Sequence, residues 1–168
     1  MDLQTFNTAS PDEVRPVLQA CCDAPTWVAA VLAGRPYAGA GDVLRAADEA
    51  ARRFTAADVD QALAAHPRIG ERAEGDHAEA AWSRREQAAV GTGEDTARAL
   101  AEGNRAYEER FGRVFLICAS GLSADEVLAS LRDRLGNEDD KEAAVVADEL
   151  RKIALLRLER VLAEEGSR

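Results

Sequence analysis

The chain has 168 residues, of which 46% are hydrophobic and 31% charged, a composition that indicates one soluble globular domain, residues 1–168, and excludes a disordered chain. No apolar run approaches the ~20 residues needed to cross a bilayer, and no secretory leader opens the chain, so we expect no membrane partner. The formal net charge of −10 would repel a polyanion and argues against a nucleic-acid partner.

Helix signals follow one another through the first 66 residues. Residues 10–13 (Ser-Pro-Asp-Glu) combine an N-cap, a proline at the first helical position and acids in the first turn. A second short helix is predicted after Pro25, and Asp42 is expected to cap a third. Residues 55–58 (Thr-Ala-Ala-Asp) resemble a capping box and predict a fourth helix, which ends at His66 because a proline follows.

The middle of the chain alternates between loop and helix signals. Residues 68–76 are polar and contain glycine, which predicts a loop. Residues 77–90 are helical in pattern, although Ser83 begins a second capping-box pattern, so the helix can also begin there. A Gly-Thr-Gly break then precedes a long predicted helix over residues 94–111.

Residues 114–118 (Val-Phe-Leu-Ile-Cys) are the most strand-like run, but they have no clear partner strand in the sequence. We therefore expect a buried extended segment or the start of a helix. A capping box at residues 123–126 predicts a helix through Leu135, and Asn137 is expected to cap a final helix to about Leu162. Together these signals predict an all-α fold, a single compact domain of about eight helices.

Cysteine and histidine content restricts the chemistry. Three cysteines, two of them adjacent at Cys21 and Cys22, form a poor disulfide framework and favour a reducing, cytoplasmic setting. Only two histidines are present, and neither a C-x-x-C nor an H-E-x-x-H pattern occurs, so we expect no metal site.

Two motifs offer polar side chains. The first is His66-Pro67-Arg68-Ile69-Gly70 at a helix end, where the helix dipole favours a protonated imidazole. It is either a catalytic site or a simple C-capping histidine. The second is Trp82-Ser83-Arg84-Arg85-Glu86-Gln87, whose Ser, Glu and Gln side chains can bind an amide- or urea-rich molecule. The alternative is a capping box followed by a solvated helix face.

A third motif is the apolar run that leads to Cys118-Ala119-Ser120-Gly121. Its small residues let a ligand approach backbone N–H groups closely. The alternative is a core segment that precedes the helix cap at Ser123.

In this order, the three motifs resemble the 2-oxo-4-hydroxy-4-carboxy-5-ureidoimidazoline (OHCU) decarboxylase family. The resemblance covers nearly the whole chain, with further matching positions at Phe6-Asn7, Asn104, Tyr107, Phe111-Gly112, Arg134, Asn137, Ile153 and Arg157-Leu158. It implies an all-α, often homodimeric carboxy-lyase without metal or organic cofactor. The implied reaction removes carbon dioxide from the ureide OHCU and yields (S)-allantoin in purine and urate degradation.

The resemblance also implies roles for individual residues. His66 and Glu86 match the family's catalytic residues. The matching substrate-contacting positions are Pro67, Ser83, Arg84, Arg85, Glu86, Gln87, Cys118, Ala119, Ser120, Gly121 and Leu122. We expect the His66 and Glu86 side chains to converge on one closed polar cavity, walled by residues 118–122.

Leu122 departs from the family pattern, which often has a cation directly after the Ser-Gly pair. Because the substrate is an anion, we expect Arg157, Arg113 or Arg84 to compensate. Leu122 leaves open a paralogue that acts on a related ureide, and the acidic surface and exposed helix faces are compatible with a non-catalytic helical interaction module. The latter predicts exposed site residues and a large apolar surface patch.

Overall fold

The computed structural model describes residues 1–70, Trp82, Glu86 and 93–163. Within these residues eight helices have defined bounds, Trp82 and Glu86 are helical as well, and no strand is present, which confirms the predicted all-α class. The helices are α1 (Leu3–Thr8), α2 (Pro11–Cys21), α3 (Pro25–Ala33), α4 (Ala40–Ala51), α5 (Ala56–Ala64), α6 (Glu94–Phe111), α7 (Ala124–Arg134) and α8 (Asp139–Ala163). None of these described helices is long and apolar enough to span a membrane.

The chain divides into two compact units. One comprises Met1–Ala64 and Leu150–Arg168, and the other comprises Ala65–Glu149. Helix α8 begins in the second unit and ends in the first. Each unit has its own buried apolar side chains, and the single domain stays a prediction.

Local capping patterns in the sequence predicted the starts of α2 and α7 correctly. Ser10 is the predicted N-cap of α2, where it also forms a capping box with Glu13, and Ser123 and Glu126 form the capping box predicted for α7. Helix α4, however, begins at Ala40 behind the N-cap Gly39, so Asp42 lies in its first turn and is not the cap. The Asp42 carboxylate instead pairs with Arg45.

Two predicted helix boundaries are wrong, the end of α5 and the start of α8. Helix α5 stops at Ala64 and not at His66, in keeping with the steric restriction that proline imposes on the residue before it. Helix α8 begins at Asp139, and Asn137 is a buried residue whose Nδ2 donates to Glu142 Oε2 at 2.9 Å. The amide of Asn137 therefore stabilises a buried carboxylate and does not cap the helix.

Helix α1 was not predicted, although its N-cap Asp2 is local and accepts a hydrogen bond from the Thr5 N–H. Its other stabilising partners lie far away in the sequence. Phe6 is its one buried side chain. The Arg35 guanidinium Nη1 donates to the carbonyls of Phe6 at 2.8 Å and Ala9 at 2.9 Å. These bonds satisfy carbonyls at the helix end that otherwise lack intrahelical partners.

The first unit is organised around α3, which packs against α2, α4 and α5. Trp27 on α3 is fully buried, and its indole Nε1 donates to the Ala47 carbonyl of α4 at 3.0 Å. Other buried apolar side chains of this unit include Phe6, Val14, Leu18, Val28, Val31, Val43, Leu150, Ile153, Leu158 and Val161.

Asp58 is a buried carboxylate at the start of α5, where it completes the predicted capping box. It accepts hydrogen bonds from the N–H groups of Thr26 at 3.1 Å and Thr55 at 3.0 Å. It also accepts from both threonine hydroxyls at 2.7 Å. Burial alone would raise the pKa of Asp58, but these hydrogen bonds outweigh it and hold the pKa below its ordinary value.

We expect Asp58 to make the protein less stable in acid. Because its folded-state pKa lies below that of the unfolded chain, its contribution is complete above the unfolded pKa of about 4. That contribution is lost as the pH falls through the folded-state pKa. Urea titrations should show D58N less stable than the wild type by about 1–3 kcal/mol near pH 6. The difference should shrink towards pH 2; a gap that stays constant with pH would contradict this account.

The second unit packs α6 against α7. A β-carbon added at Gly103 would lie 2.7 Å from Leu131 Cδ2, so the two helices approach closely there. Their buried apolar cluster consists of Ile69, Leu100, Tyr107, Phe115, Ile117, Ala119, Ala124, Val127, Leu128 and Leu131. This cluster includes residues from two of the three predicted motifs, at position 69 and at positions 115, 117 and 119.

Candidate active site

His66 lies two residues beyond the end of α5 and is half-buried, as is Pro67. The backbone that follows is attached to α6. Asn104 is buried, and its Nδ2 donates to the Ile69 carbonyl at 2.8 Å. One helical turn later, Glu108 accepts two hydrogen bonds from the Arg68 guanidinium. Residues 68 and 69 are therefore held to one face of α6.

Glu86 is helical and half-buried, and it belongs to the same unit as His66. Trp82 is also helical and is buried, so a helix that begins only at Ser83 is wrong. The remaining predicted contacts of this motif lie outside the described residues; they are Ser83, Arg84, Arg85 and Gln87. The convergence of His66 and Glu86 on one cavity stays a prediction.

Residues 114–119 contain no helix, turn or bend, so the expected helix start is wrong, and the alternative, a buried extended segment, fits this part of the chain. No strand pairs with it within the described part of the chain. Phe115, Leu116, Ile117 and Ala119 are buried, whereas Cys118 is half-buried. The segment is thus part of the buried core, although its backbone forms no sheet hydrogen bonds with a strand of the described residues.

A tight turn ends this segment. The Leu122 N–H donates to the Ala119 carbonyl at 3.0 Å, and Gly121 has a φ of +80°. A positive φ at the third position of such a turn favours glycine, which explains Gly121. Ser120 and Gly121 are exposed, and the Leu122 side chain packs against the apolar cluster of the second unit. Leucine suits this half-buried position, and it supplies no charge.

The backbone N–H groups of residues 118–122 are not equivalent. The Cys118 N–H donates to Glu149 Oε2 at 2.9 Å, and the Leu122 N–H closes the turn. Both are therefore already used inside the protein. No hydrogen bond involves the N–H groups of Ala119, Ser120 or Gly121 among residues 1–70, 82, 86 and 93–163. These three consecutive donors therefore have no acceptor within that part of the chain.

A buried polar cluster lies behind the segment. Arg134 Nη1 donates to the Leu116 carbonyl at 2.8 Å, while its Nε and Nη2 donate to Glu142 Oε1 at 2.9 and 2.6 Å. The Tyr107 hydroxyl also donates to Glu142 Oε1, at 2.6 Å, and Asn137 donates to the other carboxylate oxygen. The polar side chains of this cluster, those of Tyr107, Arg134, Asn137 and Glu142, are all buried. Leu116 contributes only its backbone carbonyl.

The cluster sets the ionisation of its members. Burial alone would raise the pKa of Glu142, but the hydrogen bonds from Arg134, Tyr107 and Asn137 hold it below its ordinary value. Burial, together with the hydrogen bond to Glu142, raises the pKa of Tyr107. The guanidinium of Arg134 also lies 4.5 Å from the centroid of the Phe115 ring. The cluster therefore consists of a charged Arg–Glu pair and a neutral tyrosine.

The three arginines considered for the substrate carboxylate lie in different places. Arg157 is fully buried in the first unit, with Nη1 3.4 Å from the Ala20 carbonyl that accepts its hydrogen bond. Arg113 lines a cavity of about 130 Å³ with Arg110, Phe111, Asp139, Glu142 and Ala143. Apart from Arg113, none of the predicted site residues that the structure describes lines that cavity. Arg84 lies outside the described residues.

The interaction-module alternative finds little support. No large hydrophobic side chain is exposed among the described residues, so the apolar patch that it requires is missing from them. His66 and Glu86 are half-buried and not exposed. An internal site therefore fits these two residues better than a solvated surface.

Comparison with known proteins gives a consistent result. The sequence model of the OHCU decarboxylase family matches residues 7–159. The chain is 33% identical to the 2-oxo-4-hydroxy-4-carboxy-5-ureidoimidazoline decarboxylase of Amia calva, over 96% of this chain and 95% of that protein. It is 28% identical to the uric acid degradation bifunctional protein TTL of Arabidopsis thaliana, over 87% of this chain and 46% of that protein.

The fold is similar to that of a crystal structure of OHCU decarboxylase in the presence of (S)-allantoin. The TM-score is 0.75 at 25% sequence identity, and the match covers 88% of this chain and 98% of that one. Sequence and fold therefore agree across most of the chain. This protein belongs to the OHCU decarboxylase family.

Proposed function

We propose that this protein decarboxylates OHCU to (S)-allantoin in urate degradation. The observation that carries the proposal is the family match over residues 7–159, together with a similar fold in a structure obtained with (S)-allantoin. The substrate is a small anionic ureide. The available backbone donors at the turn after Cys118 suit its carbonyl and carboxylate oxygens.

The reaction needs no electron sink beyond the substrate. When the bond to the carboxylate breaks, carbon dioxide leaves and the electron pair stays on the ring carbon. The adjacent C=N bond of the ring, which is conjugated with the ring carbonyl, delocalises that charge. Protonation of the ring nitrogen, addition of a proton to the ureido-bearing carbon and loss of the hydroxyl proton, which turns that hydroxyl into a carbonyl, complete the product. The protein must orient the carboxylate, stabilise the developing oxyanion and deliver the proton to one face.

The described residues support a division of these tasks. The N–H groups of Ala119, Ser120 and Gly121 stabilise the oxyanion, because preorganised backbone donors act where negative charge develops. His66 delivers the proton, since an imidazole titrates near neutral pH. Glu86 orients His66 and accepts hydrogen bonds from the ureido N–H groups. Protonation from one side yields a single enantiomer.

We further propose a cytoplasmic homodimer. The cytoplasmic setting is supported by the odd count of three cysteines, two of them adjacent at Cys21 and Cys22, which makes a poor disulfide framework and suits a reducing compartment. The dimer rests on the family resemblance alone. Light scattering after gel filtration should give twice the mass of 18.0 kDa, and a monomer at micromolar concentration would remove the dimer from the proposal.

The activity can be tested with OHCU that is generated enzymatically within the assay. Urate, urate oxidase and 5-hydroxyisourate hydrolase generate OHCU, and circular dichroism follows (S)-allantoin. We expect the protein to accelerate the appearance of a dichroic signal, because spontaneous decay gives a racemate without one. Omitting the protein is the control. A signal no faster than that control would contradict the proposed function.

A further inference from the structure

The extended segment 114–119 has an unusual requirement. Buried backbone polar groups need hydrogen-bond partners, and a strand normally obtains them from a neighbouring strand. No such strand exists among the described residues. Among the described residues, side chains supply hydrogen-bond partners to its backbone instead.

Two side chains do so at adjacent points. Arg134 donates to the Leu116 carbonyl at 2.8 Å, and Glu149 on α8 accepts from the Cys118 N–H at 2.9 Å. In an extended chain, these two backbone groups point to the same edge, and a neighbouring strand would bind both. Arg134 and Glu149 thus take the place of a partner strand on either side of Ile117.

Glu149 acts closest to the proposed oxyanion donors. The N–H group that it binds immediately precedes the N–H of Ala119, the first available donor. A hydrogen bond to a carboxylate is shorter and stronger than one to a neutral acceptor, which suits a fixed position. Arg134, in contrast, also holds the buried Glu142, so its loss affects the whole unit.

We propose that Glu149 is a positioning residue that fixes the backbone donors of residues 119–121 through the Cys118 N–H, an inference that rests on the proposed function. It does not contact the substrate. The carboxylate oxygen of Glu149 fixes the position of the Cys118 N–H. Because the turn at residues 119–122 follows directly, the positions of the N–H groups of residues 119–121 are fixed as well. Because oxyanion stabilisation depends on donor geometry, a small displacement should lower kcat more than it changes KM.

The test separates acceptor position from charge. E149Q keeps an oxygen at the same distance without the charge, whereas E149D keeps the charge but withdraws it by one methylene. We expect E149Q to retain at least about half of the wild-type kcat. We expect E149D to lose about 10- to 100-fold in kcat, with KM changed by less than about threefold.

Amide hydrogen exchange at Cys118 supplies a readout that does not depend on activity. Exchange should be faster in E149D than in the wild type and nearly unchanged in E149Q. Equal kcat in wild type and E149D, or an E149Q loss as large as that of E149D, would overturn the positioning role. An inactive wild-type enzyme with the expected exchange pattern would instead contradict the proposed function.

Discussion

Substituting His66 or Glu86 with alanine is expected to lower kcat by at least about 10²-fold each, without unfolding the protein. A well-placed general acid contributes about 10²–10⁴-fold, and His66→Ala removes the proposed proton donor. Glu86→Ala removes the group proposed to orient that imidazole. Both side chains are half-buried and lie outside the apolar cluster, so the fold should survive their truncation.

The coupled allantoin assay measures these rates, and far-UV circular dichroism checks the fold. H66Q and E86Q serve as matched controls that keep side-chain length, and we expect them to be nearly as impaired as the alanine variants. Near-native activity in H66A or E86A would remove that residue from its assigned role. Loss of helical signal in either variant would instead indicate that the residue stabilises the fold.

Arg134→Met is expected to reduce the free energy of unfolding by about 3–5 kcal/mol. Removing one partner of a buried ion pair leaves the other charge buried and uncompensated. Arg134 and Glu142 expose only 6% and 1% of their side chains, and Arg134 also supplies the donor for the Leu116 carbonyl. The substitution therefore deprives both the Glu142 carboxylate and a buried carbonyl of a hydrogen bond.

Arg110→Met is the matched control. Arg110 pairs with Asp139, but their side chains are 43% and 79% exposed, so its loss should cost no more than about 1 kcal/mol. Urea titrations of both variants give the comparison. An R134M variant within about 1 kcal/mol of the wild type would show that the buried cluster contributes little to stability.

The helices could be predicted largely because their signals are local. The caps at Ser10, Thr55 and Ser123 each involve partners within three residues, and all are present in the structure. Helix α1 has a local N-cap at Asp2 that was missed, and it is also held by Arg35, some thirty residues away, a contact that no local pattern indicates. Asn137 resembled an N-cap because the sequence does not reveal that its amide binds Glu142.

The site could be predicted only as a set of segments. The resemblance pointed to residues 118–122 as a block, but which N–H groups remain available depends on the turn at Gly121 and on Glu149. No sequence signal could have identified Glu149, which lies within a helix rich in acids. Arg134 and Tyr107 were recognised as family positions, whereas their shared partner Glu142 was missed.

The central claim is that His66, Glu86 and the N–H groups of residues 119–121 meet around one ligand. A crystal structure of this protein with (S)-allantoin bound tests it most directly. We predict an imidazole nitrogen of His66 and a carboxylate oxygen of Glu86 within hydrogen-bond distance of the ligand, which also accepts from at least one of the three N–H groups. Side chains of His66 and Glu86 that point away from each other or into bulk water would contradict the account.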